Sequence, residues 1–192
     1  FKILVLGGSQ GARILGTVVP RALTLLDPSL SRRIEVAQQA RQEDLDAARQ
    51  AYLDGGIAAE LATFFDDVPA RLASAHLVIS RAGASTVAEI AAIGRPAILV
   101  PFALAAEDHQ TMNARAFAGA GGAWVMTEPE FTPDALAARL AALMTDADRL
   151  SRAAAAAATQ GRPQAARDLA DLVERLAGGA NGNHAPIERR AA

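Results

Sequence analysis

Three stretches of this chain place small residues, hydroxyls and side-chain amides where they could hold an anion or a sugar. The first is Gly7-Gly8-Ser9-Gln10-Gly11-Ala12. Small residues let backbone amides approach a phosphate, and a following helix adds unpaired N–H groups and the positive end of its dipole. Such a loop suits a diphosphate. Its spacing is neither the G-x-x-x-x-G-K-[ST] of a P-loop nor a full G-x-G-x-x-G, and a glycine turn can also simply join a strand to a helix. The second stretch is Arg81-Ala82-Gly83-Ala84-Ser85-Thr86-Val87-Ala88-Glu89, again small residues leading into a helix start. Glu89, one turn in, could accept hydrogen bonds from two adjacent ribose hydroxyls. Thr86-x-x-Glu89 is equally a capping box, which would contribute about 1 kcal/mol to helix stability. The third is Asp108-His109-Gln110-Thr111-Met112-Asn113-Ala114, where Gln110 and, one turn on, Asn113 could bond sugar hydroxyls. A plain helix capped by Asp108 would present the same residues.

Phe64-Phe65-Asp66-Asp67 offers a different chemistry. At a strand end, the backbone N–H and C=O of Phe65 can pair with the edge of a uracil ring. Alternatively both rings are core and an aspartate caps the next helix. Metal chemistry is not expected. There is no cysteine to supply a thiolate, the three histidines (His76, His109, His184) are far apart, and no Asp-x-Asp cluster adjoins a sugar site. Asp66-Asp67 reads better as a helix start.

These stretches converge only if the elements behind them bring them to one sheet edge. Strand-like runs occur at Lys2–Leu6, Arg33–Gln38, Ala59–Phe64, Leu77–Ser80, Pro96–Val100 and Ala123–Met126. Between them lie helical patterns at Ala12–Leu26 (with Pro20 expected to kink or split it), Glu43–Leu53, from Asp66-Asp67-Val68-Pro69, Thr86–Ile93 closed by Gly94, Gln110–Ala120 and Pro133–Met144. Closing helices are expected around Ala153–Ala158 and Pro163–Leu176, and a flexible tail from Gly178. Strand–helix alternation at this spacing predicts an α/β fold, a Rossmann-like parallel sheet with helices on both faces. In such a sheet, ligands bind beyond the carboxyl ends of the strands, where all three loops emerge.

Half of the 192 residues are apolar (51%), enough for a sizeable core. Nineteen Lys and Arg against twenty-one Asp and Glu leave a formal charge of -2, which provides no basic footprint for nucleic acid. No apolar run is long enough to span a bilayer. The chain begins at Phe1 directly on a strand, without a lead-in or signal peptide, which reads as a cut N-terminus.

Taken together, the motifs are specific. The run Gly83-x-Ser85-x-x-x-Glu89, Gly94-x-Pro96, Pro101 and Asp108-x-Gln110-x-x-Asn113-Ala114 resembles the donor-binding signature of two-domain (GT-B) glycosyltransferases that use UDP-sugars. More narrowly, GGSQGAR at 7–13, FFDD at 64–67, SRAGASTVAE at 80–89 and DHQTMNA at 108–114 are similar to the MurG-type N-acetylglucosaminyltransferase family, which converts lipid I to lipid II in peptidoglycan synthesis. The resemblance covers residues 1 to about 177. It implies one half of a GT-B fold, residues 1–177 forming the C-terminal UDP-GlcNAc-binding domain, with 178–192 as tail and the N-terminal acceptor domain absent.

Carried over by position, Ser9 and neighbouring amides (Gly8, Gln10, Gly11) would face the diphosphate, and the backbone of Phe65 would read uracil. Ala84, Ser85, Thr86, Val87 and Ala88 would wrap the nucleotide, Glu89 would hold the ribose, and Gln110, helped by His109 and Asn113, the GlcNAc hydroxyls. The implied parent is an inverting hexosyltransferase needing no cofactor or metal, peripheral on the cytoplasmic face of the bacterial inner membrane. Its partners would be UDP-GlcNAc and, through the missing domain, lipid I. No catalytic residue is assigned to this chain, which alone is expected to be inactive. Ala103-Leu104-Ala105-Ala106 is a plainer lead into the Gln110 loop than the family pattern suggests. Among rivals, a dinucleotide-binding domain wants an acidic residue at the end of the second strand, whereas Glu35 reads as buried mid-strand. Another GT-B enzyme or a UDP-GlcNAc epimerase would share the Glu89 and Gln110 logic, and a bare interaction domain would bind no nucleotide.

Overall fold

The computed structural model describes residues 1–8, 11–105 and 108–180. Six parallel strands form one sheet: β1 (Lys2–Leu6), β2 (Glu35–Gln39), β3 (Ala58–Ala62), β4 (Leu77–Ser80), β5 (Ala97–Leu99) and β6 (Ala123–Val125), in the order β3-β2-β1-β4-β5-β6. The helices are α1 (Arg13–Thr24), α2 (Pro28–Ser31), α3 (Leu45–Asp54), α4 (Val68–Ser74), α5 (Ala84–Ile93), α6 (His109–Gly119), α7 (Pro133–Met144), α8 (Ala147–Thr159) and α9 (Ala165–Ala180), with a 3₁₀ turn at Gln42–Asp44.

Strand periodicity makes the two layers. Ile3 and Val5, Leu77 and Ile79, and Ile98 point to one face, where they pack with Leu15, Val19 and Leu23 of α1, Tyr52 of α3 and Leu136, Leu140 and Leu143 of α7. Leu4, Leu6, Val78, Ala97 and Leu99 point to the other, against Leu72 of α4, Ile90 of α5, Phe117 of α6 and Ala157 of α8. The central strands are therefore apolar on both sides, the pattern of a covered parallel sheet. Each fully buried leucine or isoleucine contributes on the order of 1.5–3 kcal/mol.

Four local readings are corrected. Pro20 lies within α1, buried in its packed face, rather than dividing it. Glu35 is the first residue of β2; its carboxylate is 67% exposed and pairs with Lys2 at 4.0 Å, so it is neither buried nor mid-strand. Asp67 occupies the N-cap position of α4 but makes no side-chain cap; its carboxylate accepts from Arg71 Nε at 2.6 Å, because a guanidinium one turn on is the stronger donor. α5 begins at Ala84 with Gly83 as its cap residue, so Thr86 is already in the third helical position and the Thr86-x-x-Glu89 capping box does not form.

The chain divides into two units, Phe1–Gly161 and Arg162–Ala192. The second contains α9, which runs to Ala180 and so takes in the first three residues of the expected tail. Along it Leu169, Leu172, Val173 and Leu176 form an exposed apolar stripe at helical spacing.

Candidate functional site

The order of the strands reverses between β1 and β4, and that is where the loops converge. A cavity of about 840 Å³ opens there at the carboxyl edge of the sheet. Its lining comes from the ends of five strands: the glycine turn after β1, Arg41 after β2, Arg81, Gly83, Ser85 and Thr86 after β4, Phe102 after β5 and Glu128 after β6.

Two helices point their N-termini into this space. In α1 the first intrahelical bonds are Leu15 N–H and Gly16 N–H to Ala12 C=O, so the amides of Ala12, Arg13 and Ile14 precede the helical ladder. In α5 the first bond is Val87 N–H to Gly83 C=O at 3.0 Å, which leaves the amides of Ala84, Ser85 and Thr86. All three of the α1 residues line the cavity, as do Gly83, Ser85 and Thr86. Two converging sets of amides without a partner among the described residues, each at a positive dipole end, suit a group with several anionic oxygens. The glycine turn is shaped for this. Gly8 (φ +78°) and Gly11 (φ +69°) adopt the left-handed region, closed by Gly11 N–H to Gly8 C=O at 3.0 Å.

The third loop acts as a clamp. Gln110 Oε1 accepts from Ala82 N–H at 3.2 Å and from Phe102 N–H at 3.1 Å, while Asn113 Nδ2 donates to Ala82 C=O at 3.0 Å. Both polar groups of the Ala82 residue, itself buried, are thus held from α6, immediately before the N-terminus of α5. Asn113 is a positioning side chain and does not line the cavity. Gln110 does, but its oxygen is engaged, so only its Nε2 is left to donate to a ligand. Asp108 does not cap α6; it sits at φ +53° and accepts from Thr111 Oγ1.

Other expected residues are distributed unevenly. Gly8, Gly11, Ser85, Thr86 and Gln110 line the cavity; Ser9 and Gln10 lie outside the described residues. Ala84 and Ala88 are exposed beside the lining. Val87 lies outside the lining: its side chain packs on the core and its N–H donates to Gly83 C=O. Glu89 is exposed, outside the lining, on the same face of α5 as Ser85 and Thr86, and has no partner among the described residues. His109 is exposed at the start of α6, also outside the lining. Phe65 has its ring buried in the α4–α5 side of the core; neither its N–H nor its C=O has a hydrogen-bond partner among the described residues.

Sequence reading missed the arginines. Arg81 is 12% exposed, bonded to Glu128 at 2.7 Å and to the carbonyls of Val100 and Pro101 at 3.2 Å each, with its guanidinium 5.2 Å from the Phe102 ring. Arg41 pairs with Asp44 at 2.7 Å and Glu43 at 3.1 Å, and the Asp44 hydrogen bond raises its pKa further. Arg13 lines the cavity with no ion pair among the described residues. The available signal was position: each lies within a few residues of a strand's carboxyl end or a helix start. Among the described residues, no cluster of three or more His, Asp or Glu could hold a metal.

An open parallel sheet in this order, with two helix N-termini at its reversal point, defines a doubly wound, Rossmann-like α/β domain, a class whose ligands bind at that crevice. Residues 2–170 match the family described as the glycosyltransferase family 28 C-terminal domain, and the chain belongs to that family. It is 59% identical over 184 residues to a UDP-N-acetylglucosamine--N-acetylmuramyl-(pentapeptide) pyrophosphoryl-undecaprenol N-acetylglucosamine transferase of Rhodospirillum centenum, covering 96% of this chain and 48% of that protein. A protein of the same name from Paramagnetospirillum magneticum is 59% identical over 172 residues, 90% of this chain and 46% of its own length. The chain therefore spans about half the length of the curated relatives it matches. The crystal structure of Acinetobacter baumannii MurG superposes with a TM-score of 0.83 at 32% identity, over 91% of this chain and 52% of that one. The observed sheet is thus that of a GT-B C-terminal domain. A putative UDP-N-acetylglucosamine 2-epimerase from Listeria monocytogenes shares the fold, with a TM-score of 0.68 at 15% identity.

Proposed function

We propose that residues 1–177 are the UDP-GlcNAc-binding half of an inverting N-acetylglucosaminyltransferase that makes lipid II from lipid I in peptidoglycan synthesis. The observation that carries this reading is the convergence of the α1 and α5 N-terminal amides on one cavity, with α6 locking the second set in place through Ala82. A diphosphate fits there. Ser85 and Thr86 lie beside it, Glu89 one turn along α5 takes the ribose hydroxyls, Gln110 Nε2 donates to the sugar, and Phe65 reads the uracil edge.

In the reaction, the acceptor's C4 hydroxyl oxygen bonds to the anomeric carbon with inversion while the bond from that carbon to the β-phosphate oxygen breaks. The electron pair leaves with UDP, and amides already oriented at two helix ends stabilise the growing charge without reorganising. The hydroxyl proton passes to a base in the other half of the longer protein, so this chain alone turns over no substrate. No helix among the described residues is long and apolar enough to cross a membrane, which suits peripheral contact with a lipid-linked acceptor.

The testing experiment is isothermal titration of the chain with UDP-GlcNAc and UDP, using ADP and NAD as comparisons. Selective binding of the uridine ligands is expected. Preference for NAD would sink the reading, although Arg41, rather than an acidic residue, follows β2 where a dinucleotide's ribose would sit.

A further inference from the structure

The loop between β3 and α4 is held by one arginine. Arg71 donates Nε to Asp67 at 2.6 Å and its two terminal nitrogens to the carboxylate oxygens of Glu60 at 2.7 Å each. Its guanidinium carbon lies 3.9 Å from the centroid of the Phe65 ring. A planar fork bound at all three nitrogens has no freedom to rotate. Arg71 is only 19% exposed although both carboxylates are more than half exposed. The Phe65 ring is therefore sandwiched between the core and a fixed cation. At the loop's other end, Gln39 Nε2 donates to Thr63 C=O at 3.1 Å. Between these ties, the N–H and C=O of Phe65 have no hydrogen-bond partner among the described residues. The orientation of that peptide is set through its side chain.

We propose that Arg71 is a positioning residue: by stacking on Phe65 and tying Glu60 to Asp67, it orients the Phe65 peptide to read the base and thereby sets selectivity for uracil. This rests on the donor-site reading above. Uracil offers an N3–H donor beside carbonyl acceptors, whereas cytosine offers an N3 acceptor beside an amino donor. A peptide edge turned out of place loses that distinction, while the phosphate amides at α1 and α5 are untouched.

The test is titration of the chain and its Arg71→Ala and Arg71→Lys variants with UDP, CDP and inorganic pyrophosphate. Arg71→Ala is expected to weaken UDP about tenfold and to shrink the UDP-to-CDP ratio by a similar factor, with pyrophosphate affinity unchanged. Arg71→Lys, which keeps a cation but not the three-point fork, should fall between. An unchanged ratio in a folded variant overturns the proposal, as does an equal loss of pyrophosphate, which would mark general damage. If Arg71→Ala fails to fold, Glu60→Gln, which weakens the fork without touching the core, must shrink the same ratio or the proposal falls. A parent chain that binds UDP-GlcNAc but does not separate UDP from CDP would overturn base reading by Phe65, and Arg71 with it, while leaving the donor assignment standing.

Discussion

Removing the Gln110 side chain tests whether α6 acts as a clamp or as a sugar reader. In Gln110→Ala, two backbone donors lose their acceptor: the N–H of Ala82, a residue 0% exposed, and that of Phe102, a residue 39% exposed. A buried donor left without a partner costs about 1–3 kcal/mol, whereas one that water can reach costs little beyond the net bond, about 0.5–1.5 kcal/mol. Together the loss is about 1.5–4.5 kcal/mol. For a chain of this size, about 2–4 °C of melting temperature follows each kcal/mol, so Tm should fall by about 3–18 °C in calorimetry or thermal circular dichroism. Gln110→Glu separates the two roles. Its carboxylate keeps the acceptor for both amides, so Tm should stay within a few degrees. It has no N–H₂, so the preference for UDP-GlcNAc over UDP in titration should disappear. An unchanged Tm for Gln110→Ala would refute the clamp, and an unchanged sugar preference for Gln110→Glu would refute the donor role of Nε2.

The glycine turn gives a paired prediction. A β-carbon at Gly8 meets nothing within 4 Å, so Gly8→Ala should cost only the left-handed backbone penalty, about 1–2 kcal/mol in urea unfolding. At Gly11 the same atom would lie 2.5 Å from Arg41 Cγ, so Gly11→Ala should cost about 1 kcal/mol or more beyond that. Equal losses would mean Arg41 yields freely. Glu89→Gln should leave urea stability unchanged, since α5 is not capped by this pair, yet weaken UDP binding about tenfold by removing a charge-assisted bond; unchanged affinity would remove Glu89 from the ribose site. His76 has its pKa lowered, first by burial and then by nearby positive charges, and its Nδ1 accepts from Lys2 N–H at 2.9 Å. The unfolded chain thus takes up the proton first, and stability should fall as pH is lowered from about 6.5 through the folded value. His76→Asn, which still offers an acceptor, should flatten that slope in chemical unfolding across pH.

How much of this was legible follows from the range of each interaction. All six strands and their parallel arrangement could be read, because runs such as Lys2–Leu6 and Leu77–Ser80 carry their burial in their own composition. The strand ends then gave the loops after β1, β4 and β5 that line the cavity. What local sequence did not show was which protein partners the polar side chains of those loops would meet. Thr86 and Glu89 have capping-box spacing, but the helix starts two residues earlier because the buried Ala82 peptide fixes where the chain turns. Gln110 and Asn113 look like sugar ligands locally, yet bind backbone groups 28 and 31 residues away. Asp67 looks like a cap, yet its carboxylate is taken by an arginine that Glu60 already orients from another strand. Periodicity reports which face of an element is buried. It does not report which of several donors a carboxylate or amide will meet when distant loops are brought to one edge. Small residues therefore proved more informative than polar ones: Gly8 and Gly11 mark where the backbone must pass through the left-handed region, a demand that holds whatever the neighbouring side chains do.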